Sequence, residues 1–122
     1  MTNQCQLAGQ TFTLDRYPPE QKNRSLQAWD SADELLLSHA LPILQQTTAT
    51  VLLLNDQFGA LACALAAYHP VQMSDSYISE LATRHNFHLN QLDLTALTQI
   101  NSLSQLPAAT LVLLKLPNNH SY

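Results

Sequence analysis

The chain has 122 residues, of which 46% are hydrophobic and 11% charged; this fits one globular domain and excludes an intrinsically disordered chain. Lys and Arg number 5 against 9 Asp and Glu, a formal net charge of -4, so the basic footprint of an autonomous nucleic-acid binder is missing. Met1 to Gln10 has neither the basic nor the apolar region of a signal peptide, and no apolar run reaches the roughly 20 residues that cross a bilayer, so the expectation is a cytoplasmic protein without membrane contact. Cys5 and Cys63 lie far apart and read as reduced thiols, Cys63 as a small hydrophobe buried among alanines.

Phe12-Thr13-Leu14 alternates apolar and polar, which predicts a short strand. Tyr17 to Arg24 is polar and broken by Pro18 and Pro19, so it reads as a loop. From Ser25 the spacing turns helical through Leu26, Trp29, Ala32 and Leu36. Ser31 with Glu34 matches a capping box that restarts the helix after a bend, and Pro42 marks its end. Thr50 to Leu54 is an apolar run of the kind found in strands buried on both faces. Gly59 then opens a helix of small residues, Ala60 to Ala67, which His69-Pro70 ends. Val71 to Met73 is a short strand with Asp75 at its tip, and Ser76 to Asn90 is a second crossover helix.

Gln91 to Pro107 is hard to read; Leu92 and Leu94 mark a short strand there. Thr110 to Leu114 is another strand expected to be buried on both faces, ended by Lys115-Leu116-Pro117. Strands alternating with helices imply an α/β fold with a parallel sheet and right-handed crossovers. The last core strand lies close to Tyr122, so residues 1–122 read as a fragment. An uncovered apolar strand edge in such a fragment invites self-association.

Three stretches carry a resemblance. Leu26-Gln27-Ala28-Trp29-Asp30 with Ala32-Asp33-Glu34 is the first, and Leu54-Asn55-Asp56-Gln57-Phe58-Gly59-Ala60-Leu61 the second. The third is Ser74-Asp75-Ser76-Tyr77-Ile78-Ser79-Glu80-Leu81-Ala82-Thr83-Arg84. In that order the chain, from about Phe12 to about Pro117, resembles the amino-terminal half of the large-subunit ribosomal RNA methyltransferase G family. The resemblance implies a partial Rossmann-like, class I methyltransferase-like parallel sheet with helices on both faces, truncated on its C-terminal side. It implies that 1–122 is a degenerate N-terminal methyltransferase-like domain. The implied partners are a C-terminal catalytic domain of the same protein and ribosomal RNA. That domain uses S-adenosylmethionine to methylate the N2 of a guanine, while the present fragment binds no cofactor.

The residues test the degeneracy. A working cofactor loop follows the first strand with an acid and spaced glycines, which let the backbone approach the ligand. Here Leu53 takes the acidic position, and Asn55 and Gln57 take two glycine positions. Gly59 alone remains, and Asp56 is an acid several residues out of place. Asp75 stands where such folds put an acid for ribose hydroxyls, and is also an ordinary helix cap. Asn55, Asp56, Gly59 and Asp75 therefore read as a vestigial loop, and no residue as catalytic. In the amino-methylating enzymes that the chain resembles, an Asn or Asp followed by two prolines and an aromatic ends the fourth strand. Here Leu114-Lys115-Leu116-Pro117-Asn118 offers a donor, Lys115, where an acceptor is required.

Other constellations are thinner. His85 and His88 are three apart on the second crossover helix, but no Cys, Asp or Glu at ligand spacing joins them, so no metal is expected. Trp29 is either a core residue or a stacking platform, the core being the commoner use. Arg16, Lys22 and Arg24, in or beside the proline loop, are the candidate RNA contacts against the alternative of a solvated loop. Two rival readings remain open on the sequence: a divergent domain that does bind S-adenosylmethionine, and an unrelated doubly wound nucleotide-binding or receiver-like module.

Overall fold

The computed structural model describes residues 4–15, 29, 31–74, 76–101 and 111–115. The chain opens with a hairpin of β1 (Gln4–Leu7) and β2 (Gln10–Thr13), paired antiparallel. Ala8 and Gly9 turn it with φ of 56° and 75°, the left-handed pair that matches the twist of two-residue hairpins. Leu7, Phe12 and Leu14 drop from it into the main core. The alternation around Phe12 predicts only the second of these strands; Gln4-Cys5-Gln6-Leu7 supplies the first with the same polar–apolar alternation.

Helix α1 (Ser31–Gln46) does not stop at Pro42, which sits inside it. Pro42 removes one N–H from the ladder, yet Leu37, Ala40 and Leu44 form a buried stripe that holds the next turn in place. Thr47 closes the end by donating its N–H and its hydroxyl to the Ile43 carbonyl at 3.0 and 2.7 Å.

The main sheet consists of β3 (Val51–Leu54), β4 (Val71–Met73), β5 (Thr98–Ile100) and β6 (Leu111–Leu114), all parallel in the order β5-β4-β3-β6. Between β3 and β4 run α2 (Ala60–Ala64) and a 3-10 turn at Ala66–Tyr68; between β4 and β5 runs α3 (Tyr77–Leu89). Every α2 residue is buried, because alanines and Cys63 let its backbone lie against the sheet. Val51, Leu53 and Leu113 form the main core with side chains of α1, α2 and α3. Leu52, Val71 and Ile100 cluster separately, with Leu54 and Met73 against them. This four-strand order is a partial Rossmann-like sheet, as the resemblance implied.

Two further expectations are corrected. The strand placed at Leu92 and Leu94 lies at Thr98–Ile100; Leu94–Ala96 is a 3-10 turn started by the Asp93 carboxylate accepting from the Thr95 N–H at 2.9 Å. That strand is hidden in the sequence because its central residue, Gln99, is polar. The last strand is not buried on both faces: Leu113 is buried, but Val112 and Leu114 are 50% and 46% exposed.

Helix α3 also grips the hairpin. Asn90 accepts from Thr13 N–H and donates to Thr13 O, both at 2.7 Å. One turn earlier Asn86 accepts from Asp15 N–H at 2.8 Å and donates to Asp15 O at 3.0 Å. Two amides four residues apart thus act as a strand edge for the end of β2 and the residues just after it, satisfying their backbone as a sheet neighbour does.

Val112 and Leu114 lie at the edge of the sheet among the described residues, where unpaired backbone and bare apolar area favour association. Sedimentation of the 122-residue chain is expected to show concentration-dependent association that Val112→Lys with Leu114→Glu reduces. A monomer at every concentration, identical in both forms, contradicts this.

Candidate functional site

In open α/β sheets ligands sit beyond the carboxyl ends of the strands where the order reverses. Here that point lies between β3 and β6, which pair in register from Val51 with Leu111 to Leu54 with Leu114. The loop 55–59 leaves β3 there, Lys115 leaves β6, and the first turn of α1 meets Lys115 through Asp33.

Asn55 (φ 65°) and Gln57 are exposed, whereas Asp56 between them is 3% exposed. The Asp56 carboxylate turns back under α2 and accepts from the N–H groups of Leu61 (3.1 Å) and Ala62 (2.9 Å). Its carbonyl accepts from Gly59 N–H at 3.2 Å and from the Gln72 side chain at 3.0 Å. Burial pushes the Asp56 carboxyl up from 3.8 to about 6; the charge of Asp33 adds to this, while the Ala62 and Leu61 amides and Lys115 oppose it.

Gly59 has φ of 84°, and a Cβ there would lie 2.8 Å from the Thr83 side chain and 2.9 Å from its Cα. A glycine is thus required by the contact of α2 with α3, independently of any ligand. Thr83 continues inward: its hydroxyl donates to Ser79 O at 3.0 Å and accepts from Gln72 Nε2 at 2.7 Å. The Gln72 carbonyl oxygen accepts from Gln99 Nε2 at 2.9 Å, tying β4 to β5. This amide chain accounts for the two polar residues that face the helices from the middle of the sheet.

Lys115, where the resemblance calls for an acceptor, donates from Nζ to Asp33 Oδ2 at 3.0 Å. Asp33 is fully buried, so the ion pair joins the first turn of α1 to the end of β6 across the switch point. Sequence reasoning meets Asp33 and Thr83 only inside resembling stretches and gives Gln72 no role beyond its strand. An acid in a first helical turn reads as a dipole partner, and nothing local announces a lysine 82 residues away.

Of the other sequence candidates, Arg16, Lys22, Arg24 and Asp75 lie outside the described residues. Asn55, Asp56 and Gly59 fall together in the loop after β3. His85 and His88 are not brought to one site: His85 Nε2 meets Asp15 Oδ2 at 3.0 Å and His88 is exposed. No group of three His, Cys, Asp or Glu among the described residues is placed to hold a metal ion. Trp29 is half-buried and packs against the main core. Burial pushes the Cys5 thiol up to about 11 and the Cys63 thiol upward too, so neither is an activated nucleophile. No helix among the described residues is long and apolar enough to cross a membrane.

At the switch point the Leu61 and Ala62 amides of α2 bond the Asp56 carboxylate, and Lys115 is paired with the buried Asp33.

Fold and site together define a partial Rossmann-like sheet with the Asp56 carboxylate and the Asp33–Lys115 pair beside its switch point. The family model for the RLMG N-terminal domain matches residues 2–122, and the chain belongs to that family. It is 48% identical over 116 residues to the ribosomal RNA large subunit methyltransferase G of Yersinia pseudotuberculosis serotype O:1b (strain IP 31758). It is 49% identical over 116 residues to the protein of the same name from Klebsiella pneumoniae (strain 342). Both alignments cover 94% of this chain, but only 29% of the Yersinia protein and 30% of the Klebsiella protein.

The Asp56 carboxyl binds its proton more tightly when folded than when unfolded, so stability falls as pH rises from about 4 to about 6. The wild-type chain is expected to lose up to about 3 kcal/mol relative to Asp56→Asn across that window, since the amide does not titrate. Thermal melts of both forms at stepped pH measure the difference. Parallel profiles would place the Asp56 carboxyl at its ordinary value.

Proposed function

We propose that this chain is the non-catalytic N-terminal domain of an S-adenosylmethionine-dependent 23S rRNA guanine-N2 methyltransferase. It supports the catalytic domain, which follows in the same protein, and helps to hold the RNA. The observation that carries this reading is the Asp56 carboxylate on the Leu61 and Ala62 amides. The two α2 amides that the Asp56 carboxylate bonds are not open to a ligand, and removing that acid leaves these buried N–H groups unpaired. The Asp33–Lys115 pair supports the same conclusion at the substrate side, where a lysine cannot accept from a guanine amine.

What remains for such a domain is shape and contact. Its acidic balance makes a general attraction to RNA weak, so binding depends on a few placed cations. Arg16, Lys22 and Arg24 are the proposed contacts in the segment after the hairpin. Asn55, Asp56, Gly59 and Asp75 are the remnant of a cofactor loop and take no part in catalysis. The parent protein carries one S-adenosylmethionine, in its catalytic domain.

The parent with Arg16, Lys22 and Arg24 all changed to Ala is expected to bind its rRNA fragment more weakly. The salt slope should fall by roughly 0.7–0.9 for each phosphate that is no longer neutralised, with cofactor affinity unchanged. Calorimetry should count one cofactor per chain. Two cofactors per chain would restore the reading of a divergent binding domain; unaltered RNA affinity and slope would rule out the loop as an RNA contact.

A further inference from the structure

The outer side of α3 carries Tyr77, Leu81, Arg84 and His88, at spacings of four, three and four, so all fall on one stripe of the helix. Tyr77 is 69% exposed, Arg84 and His88 are exposed, and Leu81 is half-buried beneath them. Glu80 is the one acid of this helix. Two of the five Lys and Arg residues are among the described ones, Arg84 and Lys115. Lys115 is paired with Asp33, but Arg84 forms no ion pair with a described residue.

Arg84 is nevertheless held. Its Nε donates to Gln99 Oε1 at 2.9 Å. Gln99 Nε2 in turn donates to Gln72 Oε1 at 2.9 Å and to Glu80 O at 3.1 Å, and Gln72 Nε2 reaches Asp56 O at 3.0 Å. A buried chain of amides running from the loop after β3 thus ends on an exposed guanidinium. Fixing Nε aims the planar fork and lowers the entropy cost when its terminal nitrogens bond an anion.

We propose that this stripe is an RNA contact, with Arg84 on a backbone phosphate and Tyr77 as a stacking surface for an unpaired base. The inference rests on the domain's proposed role in holding RNA. The match is one of charge and shape. A cation without a carboxylate partner answers a polyanion, and an exposed aromatic two turns along the same stripe suits single-stranded RNA, whose bases are free to stack. A protein partner would call for a broader apolar patch than Tyr77, Ile78 and Leu89 offer on this helix.

The test is RNA affinity of the full-length parent, by fluorescence anisotropy on a single-stranded rRNA fragment across a salt series. Arg84→Ala is expected to weaken binding about tenfold and to lower the salt slope by about 1. Arg84→Lys should recover the slope but not the affinity, because it keeps the charge and gives up the hydrogen bond to Gln99. Tyr77→Ala should weaken binding about tenfold without changing the slope. Equal melting temperatures exclude a folding effect, since these side chains are exposed. If the Arg16, Lys22 and Arg24 variant loses affinity while the Arg84 and Tyr77 variants do not, the stripe is overturned and the RNA role stands. If none of them loses affinity, both fall.

Discussion

One carboxylate organises the centre of this domain. Asp56 leaves the end of β3, turns inward and bonds two amides at the start of α2, and its carbonyl receives the loop's own Gly59 and the Gln72 side chain. In a ligand-binding Rossmann-like domain those amides face outward and the ligand completes them. Here the Asp56 carboxylate bonds them. Bonding to two amides offsets part of the cost of burying the acid, yet burial dominates and the carboxyl is left with a raised affinity for protons. A buried acid held in this way costs stability near neutral pH.

The surrounding structure follows from that arrangement. Gly59 must be glycine because α3 presses its Thr83 against the loop, and Thr83 in turn joins the amide chain of Gln72 and Gln99. Across the switch point, the ion pair of Asp33 and Lys115 fixes α1 to β6. A fully buried charge pair is a weak source of net stability, because desolvation cancels most of its attraction, but it penalises any other register strongly. On the far side of α3, Asn86 and Asn90 hold the hairpin by copying the hydrogen bonds of a strand. Polar side chains, not an extended apolar surface alone, therefore set how the pieces of this fold meet.

Much of this is legible in the sequence. The apolar run Val51 to Leu54, the alanine-rich α2 and the capped α3 are each short-range patterns, and each lies within a few residues of where its pattern predicts it. The side chains of Asn55 and Gln57 at two glycine positions are equally plain there. What escapes depends on partners distant in the chain. Pro42 reads as a helix end until the burial of Leu44 is known, and β5 reads as loop because Gln99 faces another glutamine inside the sheet. Lys115 stands out in the sequence as the wrong group for catalysis, but its partner Asp33 emerges only when the chain folds.

The most direct test of the account looks at the two amides themselves. In the nitrogen-labelled chain at neutral pH, the N–H signals of Leu61 and Ala62 should stay in place as S-adenosylmethionine is added to saturating levels for a binding methyltransferase, because Asp56 already holds both. Progressive shifts of these two signals with added cofactor would show that the loop opens to a ligand, and the claim of a self-filled site would be wrong.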